Sequence, residues 1–151
     1  MCTRYALEKD LPELKDIFEI ALRSSLTSKF VDTHARPLIT DGEVRPTDIV
    51  PVIAPNAKGI KSVFPMQWGF LARNGKRSLF NARVESAMKK PTFKDAWKSH
   101  RCIIPASYYF EWEHFKKIPY LGFSIIYSVS ISTDSYHCFF IFSSFICMYL
   151  M

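Results

Sequence analysis

The final 34 residues, "IPYLGFSIIYSVSISTDSYHCFFIFSSFICMYLM", carry a single charge, Asp134, while the 117 residues before them carry the other 33. A stretch this apolar has to be buried somewhere, which leaves three arrangements. One is a membrane anchor. Asp134 and His137 divide the stretch, however, and the uncharged run beyond them, residues 138–151, holds 14 residues, short of the roughly 20 that a spanning helix needs. A second is a set of buried strands, which its aromatic and β-branched residues suit. A third is an ending that is not the natural continuation of the domain before it. No membrane partner is expected.

With 151 residues, 48% of them hydrophobic, the chain is long enough for one domain with a core and short for two. Its first residues, "MCTRYALEKDLPELKD", turn charged too early for a secretory signal, so a cytoplasmic protein is expected, associated with the nucleoid if the cell is bacterial. Cys2, Cys102, Cys138 and Cys147 form no CxxC pair and no Cys/His ligand spacing. That predicts neither a metal site nor a disulfide framework, and favours a reducing compartment. The net charge of +6 is unevenly spread: residues 1–57 hold seven Lys/Arg against nine Asp/Glu, and residues 58–117 hold thirteen against four. A basic middle favours a polyanionic partner, nucleic acid ahead of an anionic membrane surface, against the plainer reading of a solubilising face.

"DLPELKDIFEIALRSS" sets Leu11, Leu14, Ile17, Phe18, Ala21 and Leu22 at helical spacing, with Asp10 placed to cap and Glu13 three residues on. "THARPLITDGEVRPTDIVPVIAP" is broken by four prolines and a glycine, so it predicts loops around one short strand at 49–54. "MQWGFLA" reads as another strand. "PTFKDAWKS" reads as a short helix entered at Thr92, with Asp95 in capping-box position and Phe93, Ala96 and Trp97 turned inward. "RCIIPASYYFEWEHF" gives two strand-like runs parted by Pro105. Short strands without βαβ alternation predict an α+β domain with a mixed, mostly antiparallel sheet.

Four places carry chemistry. If Met1 is trimmed, Cys2 presents an amine and a thiol on adjacent carbons, a pair that captures an aldehyde as an imine and then as a thiazolidine ring. In "FNARVES", Asn81, Arg83 and Glu85 alternate, so on an extended segment they share one face, lining a cleft, unless Arg83 and Glu85 simply pair with each other. Glu111 lies among Tyr109, Phe110 and Trp112, surroundings that raise a carboxyl pKa towards proton-shuttling duty, with Glu113 as the rival on the same side. Trp68 is either core or a stacking platform for a base.

"MCTRY", "EVRPTDIVPVI", "MQWGF", "FNARVES", "KKPTFKDAW", "RCIIPASYYFEW" and "KKIPY", in this order, resemble the SOS-response-associated peptidase (SRAP) family over about residues 1–120. The resemblance implies a β-rich fold around a barrel-like sheet, a basic groove for single-stranded DNA, and processing of abasic sites through a covalent thiazolidine DNA–protein crosslink. It implies Cys2 as the covalent residue, Asn81 orienting cysteine and sugar, Glu111 shuttling protons, Arg4 and Arg83 holding phosphates, and Trp68 bracing neighbouring bases. The implied partner is single-stranded DNA containing abasic sites, met by a monomer with no metal or other cofactor.

The chain departs from the family in places. Thr3 follows the cysteine where the family has glycine, and Tyr108 replaces another glycine ahead of Glu111, which crowds the turn if a positive φ is required there. The family's histidine, in an "H-x-R-M-P"-like segment, has no counterpart after Tyr120, and His34, His100, His114 and His137 do not take its place. Residues 121–151 therefore read as an apolar tail outside the family pattern, the result of a frameshift or a misjudged gene end. Two rival functions stand beside abasic-site capture: a truncated, inactive fragment or non-catalytic basic nucleic-acid binder, and a thiol peptidase that releases its own N-terminus.

Overall fold

A computed structural model of the chain describes the backbone of residues 4–71, 78–99, 102–113, 116–120, 126–127, 137–142 and 145–150, and side chains within 4–69, 79–82, 86–98 and 102–108. It begins with β1 (Tyr5–Leu7), whose three residues are all buried. In α1 (Pro12–Arg23), Pro12 supplies the first helical position, where its fixed φ is suited and its missing N–H costs nothing. Leu11 is the N-cap, without a side-chain capping bond, so the capping box expected of Asp10 and Glu13 is corrected. Leu14, Phe18 and Ala21 face the core, with Leu11 and Ile17 packed at its margin, whereas Leu22 stays 59% exposed. At 100° per residue, Leu22 stands about 80° round the helix from Leu14, at the edge of the buried stripe.

A second helix, α2 (Ser25–His34), fills residues for which the sequence pattern predicts no element and ends two residues into the segment read as loops. Thr27 is its buried residue, so it lacks the apolar periodicity by which a helix is recognised. Its end is built locally: Ala35 takes a left-handed backbone (φ 50°), and the Ala35 and Arg36 N–H groups return to the Asp32 and Val31 carbonyls. His34 donates from Nδ1 to the Phe30 carbonyl at 2.8 Å and stacks on the Phe30 ring. This is a structural histidine.

After β2 (Gly42–Val44), the strands β3 (Ile49–Pro55) and β4 (Lys61–Trp68) form a hairpin in which Pro51 lies directly opposite Pro65. Opposed residues in an antiparallel ladder alternate between hydrogen-bonded and non-bonded pairs, and neither proline can donate, so a non-bonded pair accommodates both. That is how a proline-rich segment still makes a seven-residue strand. β4 starts five residues before the predicted Met66 and ends at Trp68, ahead of Gly69, whose φ of 125° is a region open to glycine and strained for other residues. There the chain breaks into β5 (Phe70–Leu71), paired with β6 (Ser78–Leu79).

β7 (Asn81–Arg83) runs straight into α3 (Val84–Ala87), followed by α4 (Pro91–Ser99). α4 starts one residue before the predicted Thr92, its first turn closing on the Lys90 carbonyl, and it buries Phe93 and Ala96 with Trp97 packed alongside, as predicted. β8 (Ile103–Ile104) and β9 (Tyr108–Glu113) are the two runs parted by Pro105. Cys102, 4% exposed, is disulfide-bonded, which corrects the expectation of reduced thiols at this position. The backbone continues through β10 (Lys116–Tyr120), β11 (Ile126–Tyr127), β12 (His137–Phe142) and β13 (Phe145–Leu150).

The main sheet runs β11-β8-β3-β4-β13-β12, with β7 also on β13, and a second runs β10-β9-β1-β2. Every strand pairing described is antiparallel, with one isolated parallel bridge at Leu38 and Ile49. The α+β expectation holds, but the sheet is open rather than a closed barrel: β11 and β12 stand at its two ends without pairing among the described residues. Of the arrangements open to the apolar ending, the backbone takes that of strands, β13 pairing with both β4 and β7. Trp68, Tyr5, Leu7, Ile49 and Met66 are among the largest fully buried side chains.

Candidate functional site

β1 lies between β9 and β2 in the second sheet. It pairs antiparallel with β9, Tyr5 opposite Tyr109 and Ala6 opposite Tyr108, and the Ser107 N–H donates to the Ala6 carbonyl at 2.9 Å. Ser107 Oγ accepts from the Glu8 N–H at 2.8 Å, fixing the far end of the same strand. Moving toward the N-terminus from Tyr5 is therefore moving along β9 toward Glu111, two residues beyond Tyr109. Cys2 and Thr3 lie outside the described residues, as do the side chains of Glu111, Glu113 and Arg83. Glu111 and Glu113 both belong to β9. Tyr108 opens β9 and is not among the positive-φ residues, Ala35 and Thr47; a turn glycine is not needed here.

Arg4, one residue before β1, donates from Nη1 to Glu43 Oε1 at 2.8 Å. The other carboxylate oxygen of Glu43 accepts from Arg45 Nη2 at 2.8 Å. The Arg45 hydrogen bond, joined by Arg4 and opposed by desolvation, holds the Glu43 carboxyl below its ordinary pKa, and Glu43 in turn raises that of Arg45. The turn after β2 is tightly held. The Arg45 N–H donates to Asp48 Oδ2 at 2.8 Å, the Thr47 N–H to the Trp68 carbonyl at 2.8 Å, and the Trp68 N–H to the Asp48 carbonyl at 2.9 Å. Gln67 Nε2 and Arg36 Nη1 hold Thr47 from either side, at its carbonyl and its hydroxyl.

Trp68 belongs to the core. It is 1% exposed, packs tilted on Tyr5 with ring centroids 5.6 Å apart, and directs Nε1 at the Phe80 carbonyl at a long 3.5 Å. A ring so enclosed offers no face to a base, which corrects its reading as a stacking platform; it supports the backbone entering Asn81 instead. Asn81 opens β7 opposite Cys147, half-buried, with its carboxamide oxygen shielded from solvent. Asn81 and Arg83 share a strand, but Glu85 falls inside α3. The single extended segment expected for all three is therefore corrected: the strand ends at Arg83.

Sequence reasoning missed Glu43 and Arg45. Their signal was the same two-residue alternation noted at Asn81 and Arg83, lying in a segment dismissed as loop. Among the described residues no group of three potential metal ligands is found, and no helix is long and apolar enough to cross a membrane.

Among solved structures, a Bacteroides thetaiotaomicron protein is similar at 19% identity and a TM-score of 0.52, over 91% of this chain and 60% of that one. A Bordetella bronchiseptica protein is similar at 23% identity and a TM-score of 0.49, over 78% of this chain and 55% of that one. The first is a likeness of fold, and this chain spans less than two thirds of either protein's length. No curated protein matches. The family model of the SOS response associated peptidase matches residues 1–128, running past Tyr120 into the apolar ending. With that match over most of its length, the chain belongs to the SOS response associated peptidase (SRAP) family.

Proposed function

We propose that this chain captures abasic sites in single-stranded DNA through Cys2, once Met1 has been removed. The freed α-amine adds to the aldehyde of the ring-opened deoxyribose and water leaves, giving an imine. The thiol then adds across the C=N bond, its proton passing to nitrogen, and a thiazolidine links protein to DNA. Glu111 moves the protons, Asn81 orients cysteine and sugar, and Arg4 and Arg83 hold the flanking phosphates. The protein acts as a monomer in the cytoplasm, on the nucleoid in a bacterial cell. Residues 1–120 carry the chemistry, and residues 121–151 form an ending of their own.

The observation that carries this reading is the antiparallel register of β1 on β9, in which the N-terminal end of β1, the end nearer Cys2 in sequence, faces the Glu111 end of its neighbour. Family membership supports the link to DNA damage, and the basic residues 58–117 suit a polyanion.

The test is incubation of the purified chain with single-stranded DNA bearing one abasic site, followed by intact mass under denaturing conditions. A stable adduct is expected. Cys2→Ala should abolish it and Cys2→Ser should leave at most a labile product. An adduct undiminished in Cys2→Ala, or a mature chain that retains Met1, would sink the proposal. Loss of a peptide placed before Cys2, without an adduct, would favour the peptidase reading.

A further inference from the structure

We propose that Arg4, Glu43 and Arg45 form a phosphate clamp, in which Arg45 is a further contact to the nucleic-acid backbone and Glu43 occupies the phosphate's place until DNA arrives. This rests on the reading of Arg4 as a phosphate contact. The β1–β2 ladder pairs Tyr5 with Val44 and Ala6 with Glu43. One step further along the same register brings Arg4 opposite Arg45, on the face that also carries Glu43. Like charges directly opposite each other on a sheet repel, so the pair needs an anion between them. Glu43 supplies it, giving Oε1 to Arg4 and Oε2 to Arg45, both at 2.8 Å.

Two oxygens of one anion, each held by a different guanidinium, is also how a phosphodiester would present its two non-bridging oxygens. Both arginines are reachable, with side chains 40% and 61% exposed. The platform is preorganised, because the turn carrying Arg45 is tied to Asp48 and, through Thr47 and Asp48, to the backbone of buried Trp68. Arg36, bonded to Thr47 Oγ1 at 3.0 Å, adds a third guanidinium on the same turn. DNA that enters must displace Glu43 from at least one arginine, so Glu43 lowers affinity for any strand and discourages binding where other contacts are missing.

The test uses the full chain and a labelled single-stranded oligonucleotide carrying a tetrahydrofuran abasic analogue, which has no aldehyde and so reports binding without the covalent step. Anisotropy titrations across a series of salt concentrations give affinity and salt slope. Arg45→Ala should weaken binding several-fold at low salt and reduce the slope by about 0.7, the share of one phosphate contact on a single strand. Glu43→Gln should tighten binding several-fold, and Arg45→Lys should retain most of the wild-type affinity. If Arg4→Ala weakens binding while Arg45→Ala and Glu43→Gln match wild type, the clamp is overturned and the function proposed above stands. If wild type fails to bind the oligonucleotide at any salt, both fall. Thermal melts of each variant separate lost contacts from lost folding; should Arg45→Ala not fold, Arg45→Gln against Arg45→Lys gives the same comparison.

Discussion

Tyr5 and Arg4 are neighbours in sequence with opposite surroundings. Tyr5 is 1% exposed, packed on Trp68, while the Arg4 side chain is 40% exposed and ion-paired with Glu43. The same contrast repeats at β2, where Val44 is fully buried and Glu43 and the residue after the strand, Arg45, are not. Strand alternation sends successive side chains to opposite faces, so one ladder carries a structural face and a charged face. Mutations on the first should be felt as stability and those on the second as binding.

The largest expected effect lies on the buried face. Trp68→Ala should cost about 3–5 kcal/mol through lost burial and the cavity left behind, read as a fall in melting temperature of about 10 °C. If it melts like wild type but loses DNA binding, the division between faces is reversed and the stacking role returns. Gly69→Ala comes next. Its φ of 125° is strained for alanine, with an expected cost of about 1–3 kcal/mol by denaturant titration; an unchanged midpoint would mean that the break between β4 and β5 does not need glycine.

The smallest effect belongs to the charged face. Glu43→Gln should change stability by less than about 1 kcal/mol, as expected of an exposed ion pair. Because the folded-state pKa of Glu43 is depressed from 4.5 by Arg45 and Arg4, its contribution is fully present above that unfolded value and is lost as pH falls through the folded one. Wild type and Glu43→Gln should therefore differ slightly in stability at neutral pH and converge in acid. A difference that persists or grows in acid would show that Glu43 acts on folding by another route.

Legibility in the sequence followed periodicity. α1 and α4 announced themselves by apolar spacing, and the runs on either side of Pro105 by composition, because in each the residues that pack are the residues that make the pattern. α2 buries chiefly Thr27 and closes on a left-handed Ala35, features that leave no apolar trace. The capping box at Asp10 failed because Pro12 starts the helix from Leu11. At the proposed site, Cys2, Asn81, Glu111, Arg4 and Arg83 were readable as residue types within the family's motif blocks. Glu43 and Arg45 were not, since their role depends on a partner about forty residues away in the chain.

What the sequence determined by itself was chemistry and kind: a cysteine at the second residue, which removal of Met1 would turn into an amine and thiol on adjacent carbons, a basic middle, short strands in an α+β order, and the motif blocks of one family. These are properties of single residues and local spacing. The tertiary structure decided which side of the ladder each residue serves. It buried Trp68, moved Glu85 from strand to helix, and set Glu43 between two arginines. Pairing register and burial arise between segments far apart in the chain, and a one-residue shift in register would exchange the two faces.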